Sequence, residues 1–229
     1  MTIVKKCFFY ATIFFVISIV LNANAATISQ TEASSGLKSM LNQAAQTAVK
    51  ELSAQGGFSN NPDVKIELPG KLGSTTKMLK MFGLGDQLTQ LENSMNAAAE
   101  AAIPEAQQML LDSIKQMTFA DAKAIVTGGD QSATAYLEKT NRTQLFNKFL
   151  PKVKTITAKS SLSSQYDAIL QKAATFGVAD NNLKIENYVT NKALDGLFKV
   201  IGEQESYIRN NPKEAATSVA TKIFEALTH

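Results

Sequence analysis

Residues 185–209 read IENYVTNKALDGLFKVIGEQESYIR, and this stretch carries the clearest signal for the fold. Large apolar side chains recur in it at spacings that an α-helix of 3.6 residues per turn brings to one face. They are Tyr188, Leu194, Leu197, Phe198, Ile201 and Ile208. The Asn-Asn-Pro sequence at residues 210–212 then predicts the end of this helix. The segment therefore predicts a long helix with one buried face.

The same periodicity extends over most of the chain, with one interruption. Further apolar stripes are Leu37, Leu41, Ala44, Ala48 and Leu52; Leu88, Leu91, Met95, Ala98 and Ala102; and Leu145, Phe149, Val153 and Ile156. In residues 58–70, Val64, Ile66 and Leu68 instead alternate with charged neighbours. A lone strand would have no partner, so we predict an extended arm packed across helices. The predicted fold class is all-α: a single-domain multi-helix bundle, with about eight to ten helices and a short extended arm.

Local signals predict several helix boundaries. Thr118 and Asp121 have the spacing of a capping box at the start of a helix. Asp130 and Ser163 are each predicted to cap the N-terminus of a following helix. Pro151 is predicted to kink the helix that contains it.

The N-terminus has the three parts of a secretory signal peptide. Lys5 and Lys6 precede a fifteen-residue apolar run at 7–21, and Ala-Asn-Ala follows at residues 23–25. The run is shorter than the roughly 20 residues that span a bilayer, which argues against the alternative of an uncleaved membrane anchor. We predict a signal peptide at 1–25, cleavage after Ala25, and a periplasmic all-α domain at 26–229 with no integral membrane span.

The amino-acid composition argues against most metal sites and against most forms of nucleophilic catalysis. The chain has one Cys, one His and no Trp; Cys7 lies in the signal segment, and His229 is the last residue. Zinc and copper sites draw on Cys and His, and no Gly-x-Ser-x-Gly nucleophile motif occurs. Asp180-Asn181-Asn182 lacks the spacing of a calcium loop and indicates a helix-capping turn. We therefore predict no catalytic residue, no metal and no cofactor.

One charge feature points to a possible binding surface. Residues 138–172 contain seven basic and two acidic side chains, beside the apolar stripe at 145–156. Such a basic face could meet anionic lipid headgroups, and the alternative is the solvated outer face of a core helix. The candidate ligand or membrane-surface residues are Arg142, Lys148, Lys152 and Lys159. Nucleic acid is excluded as a partner, because an exported chain of nearly balanced charge has no motif for it.

Several stretches of the chain carry a family resemblance. They read FSNNPDVKIELP at 58–69, SMNA at 94–97, IKQMTFADAK at 114–123, TGGDQSAT at 127–134, YVTNKALDGLF at 188–198 and IRNNP at 208–212. They resemble a family of exported bacterial proteins called domain of unknown function 4197. The resemblance implies a signal-bearing periplasmic protein with a helical fold, and it supplies no reaction, ligand or catalytic residue.

These observations predict a non-enzymatic periplasmic binding protein for an apolar or lipid-like ligand. Two alternatives remain open. The first is a structural or assembly factor that binds an envelope protein. The second is an enzyme whose carboxylates meet a lysine only in the folded chain, which a compact polar pocket with these groups would support.

Overall fold

Helices form the secondary structure of the computed structural model, which describes residues 30–178 and 183–215. In chain order they are α1 (Gln30–Ser53), α2 (Gly70–Ser74), α3 (Thr76–Leu79), α4 (Gly85–Ala102), α5 (Ala106–Gln116), α6 (Phe119–Val126), α7 (Ser132–Lys159), α8 (Leu162–Ala174) and α9 (Ile185–Asn210). A π-helical turn, Lys80–Leu84, joins α3 to α4, and short 3₁₀ turns occupy Ile103–Glu105 and Pro212–Glu214. No strand occurs in the described ranges, so the all-α prediction is confirmed.

Three sequence predictions lie outside the described residues. They concern the signal segment at 1–25, the turn at 180–182, and the chain after residue 215 with His229.

Helix α9 lies at the centre of the bundle, where it packs against α7, α1 and α4. Leu194, Leu197 and Ile201 on its apolar face are fully buried. Each large apolar side chain contributes about 1.5–3 kcal/mol when it leaves water. The periodicity of residues 185–209 thus explains why this helix forms and why the others surround it.

The predicted arm is extended only at residues 65–69, because residues 58–60 and 62–64 form turns. Its extended part contacts α4 and α9, and side chains supply the hydrogen bonds that a partner strand would give. The backbone N–H of Ile66 donates to Asn96 Oδ1 at 2.9 Å, and Asn96 Nδ2 donates back to the Ile66 carbonyl at 2.9 Å. The Tyr188 hydroxyl donates to the Glu67 carbonyl at 3.0 Å. Buried backbone groups need such partners, so these contacts fix an otherwise unpaired segment.

The arm approaches α9 at a glycine. A Cβ atom at Gly196 would lie 2.7 Å from Cε1 of Phe58, a side chain that is fully buried. Real Cβ contacts do not reach that distance. Any larger residue at 196 would therefore push the arm off the helix.

The boundary predictions had mixed outcomes. The capping box is confirmed: Asp121 N–H donates to Thr118 Oγ1 at 3.2 Å, and Thr118 N–H donates to Asp121 Oδ2 at 2.9 Å. The cap at Ser163 is wrong, because α8 begins at Leu162 after Ser161, and the Ser163 hydroxyl donates to Glu186 Oε1 at 2.6 Å. Helix α7 continues past Pro151 to Lys159.

The predicted cap at Asp130 is also wrong, because α9 supplies the carboxylate. Both oxygens of the fully buried Glu205 accept from the first turn of α7, from Ala133 N–H at 3.1 Å and Thr134 N–H at 2.8 Å. Arg209 Nη2 lies 2.8 Å from Glu205 Oε1 and also donates to the Ile125 carbonyl at the end of α6. This buried ion pair fixes α6 and α7 to α9, so we assign it a structural role.

Candidate functional site

The four predicted basic residues are distributed along the outside of α7. Arg142 forms ion pairs with Glu138 on its own helix and with Asp195 on α9. Lys152 Nζ lies 3.3 Å from Glu105 Oε1. Two of the four cations are therefore neutralised by neighbouring carboxylates.

The other two cations have different surroundings. Lys159 is exposed in the last turn of α7, where a cation complements the negative end of the helix dipole. Lys148 is exposed and lines a cleft between α5, α6 and α7. The four residues thus do not converge on one ligand.

The apolar stripe beside these cations belongs to the core. Leu145, Phe149 and Val153 are fully buried, and Ile156 packs against them. Lipid can reach none of the three buried side chains, so the basic face of α7 flanks the bundle interior. On this helix the geometry is that of a solvated outer face.

The cleft beside Lys148 has a volume of about 540 Å³ and is mainly polar. Amide and hydroxyl side chains line most of it, together with the carboxylates of Asp112 and Asp121. Asp112 Oδ1 accepts a hydrogen bond from Gln108 Nε2 at 2.9 Å. Two carboxylates and one lysine thus line the same cleft, with Asp121 near Tyr136 and Lys148 at the other end.

Asp121 is the most strongly held of these groups. Its Oδ2 accepts from the Thr118 hydroxyl at 2.7 Å and from the Tyr136 hydroxyl at 3.3 Å. The hydrogen bonds from Thr118 lower the pKa of Asp121. Burial, followed by the charge of Asp121, raises the pKa of Tyr136. At neutral pH this end of the cleft therefore presents an ionised carboxylate and a neutral phenol.

A second surface consists of large apolar side chains that remain in water. Met81 is 80% exposed, Phe82 52% and Phe176 41%; we call these three residues the apolar knuckle. The rings of Phe82 and Phe176 stack with centroids 4.3 Å apart and planes 10° from parallel. The stack joins the π-helical turn to the chain just after α8, so the knuckle is a fixed feature of the surface.

The backbone explains why the knuckle points outward. Gly83 has a φ of +82°, which interrupts the helix directly after Phe82. Leu79 is fully buried, and Met81, two residues later, lies on the opposite side of the helix at about 100° per residue. The chain thus buries Leu79 and leaves the next large side chains at the apex of a turn.

Three lysines lie close to the knuckle along the chain. Lys77 and Lys80 precede it on α3 and the turn, and Lys172 lies four residues before Phe176 on α8. All three are exposed, and Lys172 Nζ donates to Gln87 Oε1 at 3.1 Å. Asp86 is an exposed acid close by in the chain. The knuckle therefore combines exposed apolar area with an excess of positive charge.

Lys77 and Lys80 also line a cleft against the arm. The carboxylates of Glu67 and Glu92 line the same cleft, and Glu92 Oε2 lies 3.8 Å from Lys65 Nζ.

A family model described as "Protein of unknown function (DUF4197)" matches residues 27–225. The chain belongs to this family. The predicted resemblance is therefore confirmed. No curated protein and no solved structure matches the chain.

Several of the stretches that carried the family resemblance make contacts between the arm and the helices or between helix ends. Residues 58–69 form the arm, Asn96 holds it through two hydrogen bonds, and Gly196 lets it approach α9. Arg209 holds the ends of α6 and α7. In this chain, these segments therefore take part in contacts among its helices and between the helices and the arm.

Two kinds of feature are absent from the described ranges, 30–178 and 183–215. No helix there is both long and apolar enough to cross a bilayer. No group of three or more His, Cys, Asp or Glu side chains there is placed to hold a metal ion.

Sequence reasoning missed the apolar knuckle. The available signal was the pair Met81-Phe82 directly before a glycine, a residue that often ends a helix. Phe176 gave no signal of its own, because only the folded chain brings it onto Phe82.

Proposed function

We propose that this protein is an exported, non-enzymatic periplasmic binding protein that attaches to a lipid surface through the apolar knuckle. The observation that carries the proposal is the exposed stack of Phe82 on Phe176 beside Met81. Exposed apolar patches on folded proteins mark sites that bind a partner or a membrane. The lysines close to this patch along the chain favour an anionic lipid surface over an apolar protein groove.

The energetics suit reversible attachment. A fully buried large apolar side chain contributes about 1.5–3 kcal/mol, and the three knuckle side chains keep between 41% and 80% of their surface exposed. Each lysine near an anionic surface adds about 1 kcal/mol. The total resembles the attachment given by a single lipid chain, which binds membranes reversibly.

The predicted signal peptide agrees with a target of this kind. Export through the inner membrane would place the mature chain between the inner and outer membranes, where it could reach the lipid surface of either. The sequence analysis predicted an apolar or lipid-like ligand. We propose that this ligand is the surface of a membrane.

Flotation with vesicles tests the proposal. The mature chain is mixed with vesicles of phosphatidylcholine alone or with phosphatidylglycerol, and the protein that floats with the lipid is measured. We expect recovery with anionic vesicles, and a loss of about tenfold or more in partitioning for the double variant Met81→Ser/Phe82→Ser, because about 1.4 kcal/mol corresponds to a factor of ten. The matched control is Tyr207→Ser, which removes a side chain of equal exposure, 53%, from α9.

Two outcomes would reject the proposal. One is equal recovery of wild type and the double variant. The other is no recovery with any vesicle while the protein co-purifies with one envelope protein in stoichiometric amount, which would favour the assembly-factor alternative.

The enzyme alternative has one observation in its favour: Asp112, Asp121 and Lys148 line the same cleft, with Asp121 and Lys148 at its opposite ends. Acid catalysis near neutral pH needs a carboxyl group that still holds its proton. The hydrogen bonds from Thr118 lower the pKa of Asp121, so that group is ionised at neutral pH. At neutral pH Asp121 is therefore unsuited to act as a general acid, and its carboxylate can attract a cationic group.

A further inference from the structure

The polar cleft shares no lining residue with the apolar knuckle, and its long axis follows helix α7. Three contacts cross from the α5 side to α7: Lys152 to Glu105 at 3.3 Å, Asn141 to Ser113 at 2.9 Å, and Tyr136 to Asp121 at 3.3 Å. The residue numbers rise on one side as they fall on the other, so the two walls run antiparallel. The cleft therefore extends along α7 between Tyr136 and Lys148.

Its two ends carry opposite charges. Asp121 lies at the end near Tyr136, Lys148 lies at the other end, and Asp112, which accepts from Gln108, lines the α5 wall between them. Twelve residues of helix separate Tyr136 from Lys148, which corresponds to about 18 Å at 1.5 Å per residue. A ligand that satisfies both ends is therefore elongated, with a cationic group at one end and an anionic group at the other.

Both ends have capacity for such a ligand. Within the described residues, the hydrogen bonds to the Asp121 carboxylate all reach Oδ2, which leaves Oδ1 able to accept from an ammonium group. Within the described part of the chain, Lys148 has no ion-pair partner. A carboxylate at this end would provide one.

The middle of the cleft offers a hydrogen-bond acceptor, the side-chain oxygen of Asn141. Asn141 is 4% exposed, and its Nδ2 donates to Ser113 Oγ and to the Leu137 carbonyl, both at 2.9 Å. The carbonyl acceptor fixes the orientation of the amide, so Oδ1 is the atom left to accept. In the described ranges Oδ1 receives no hydrogen bond. Because Asn141 lines the cleft, this oxygen is available to accept a hydrogen bond from a donor of a ligand.

We propose that this cleft binds a short peptide with free termini in an extended conformation. The N-terminal ammonium lies at Asp121, backbone N–H groups face Asn141, and the C-terminal carboxylate lies at Lys148. An extended chain rises about 3.3 Å per residue, so about four to five residues span the cleft. A neutral oligosaccharide would leave both charged ends without a partner.

Calorimetric titration of the mature protein with tetra-alanine tests the proposal. We expect saturable binding that weakens about tenfold in Lys148→Gln, the equivalent of one charge-assisted hydrogen bond. The matched control is Lys159→Gln, an exposed lysine of the same helix outside the cleft, which should bind like wild type. Circular dichroism verifies that both variants are folded.

Peptides with a blocked terminus distinguish recognition of the free termini from non-specific binding. Tetra-alanine amidated at its C-terminus should bind wild type about as weakly as the free peptide binds Lys148→Gln, and it should not distinguish the two proteins. An acetylated N-terminus should weaken binding to both. The proposal is overturned if tetra-alanine does not bind, if amidation has no effect, or if chitotriose binds with the same affinity. Vesicle flotation of Lys148→Gln should match wild type, because the knuckle is unchanged.

Discussion

The basic segment of α7 and the apolar knuckle contain the same kinds of residue, but their apolar side chains differ in burial. Both set lysines beside large apolar side chains in the sequence. On α7 the stripe with Phe149 packs against neighbouring helices and is fully buried. At the knuckle, Gly83 breaks the helix and Phe82 remains half exposed. Amphipathic pattern alone therefore does not identify a binding face; the position of the neighbouring helices does.

Truncating one phenylalanine in each region should give the largest difference. Phe149→Ala should lower the free energy of unfolding by about 3–5 kcal/mol, because it leaves a cavity in the core. Phe82→Ala should lower it by less than about 1 kcal/mol, since most of that ring already contacts water or one stacked partner. Urea unfolding followed by circular dichroism measures both. Similar losses would mean that the two regions do not differ in burial.

The start of α7 should be sensitive to the charge of Glu205. Glu205→Gln keeps the shape but weakens the hydrogen bonds to the first turn of α7 and the ion pair with Arg209, at a cost of about 1–3 kcal/mol. The control is Glu203→Gln on the same helix, whose exposed pair with Lys199 contributes less than about 1 kcal/mol. Equal midpoints in urea for the two variants would contradict the structural role of Glu205.

The knuckle should depend on the conformation of Gly83. A Cβ atom at Gly83 meets nothing within 4 Å, so Gly83→Ala tests backbone strain alone at φ +82°. We expect a loss of about 1 kcal/mol in unfolding free energy. Gly129→Ala is the matched control, because its Cβ also meets nothing within 4 Å and its φ is not positive. If the control loses as much stability, strain is not what shapes the knuckle.

The ion pairs of α7 should have the smallest effect. Arg142→Gln removes contacts with Glu138 and Asp195, both partly exposed, and should cost less than about 1 kcal/mol. Repeating the urea titration at 1 M salt should reduce this loss further, because the Debye length then falls to about 3 Å. A salt-independent loss would indicate a packing role for the Arg142 side chain.

The fold was predictable where the signal was periodic. The stripe of residues 185–209 and the alternation in the arm each depend on local spacing, and the structure confirms both. The capping box at Thr118 was predictable for the same reason, since both partners lie within one turn.

The remaining features depend on contacts between distant residues. Asp130 was a reasonable local cap, but Glu205, more than 70 residues away in the chain, provides the carboxylate. Likewise, the cleft joins Asp112, Asp121 and Lys148 from three helices, and only the antiparallel packing of α5 and α7 places them along one groove. Spacing in the sequence carries no information on such pairs.

Fluorescence of a single tryptophan tests membrane attachment by the knuckle most directly. The natural chain has no Trp, so Phe82→Trp introduces a unique reporter, and Tyr207→Trp on α9 is the control. On addition of anionic vesicles, we expect the emission of the Phe82→Trp variant to shift to shorter wavelength and to be quenched by lipids brominated on their acyl chains, while the control does not change. An unchanged Phe82→Trp spectrum, or equal quenching of both variants, would contradict attachment through the knuckle.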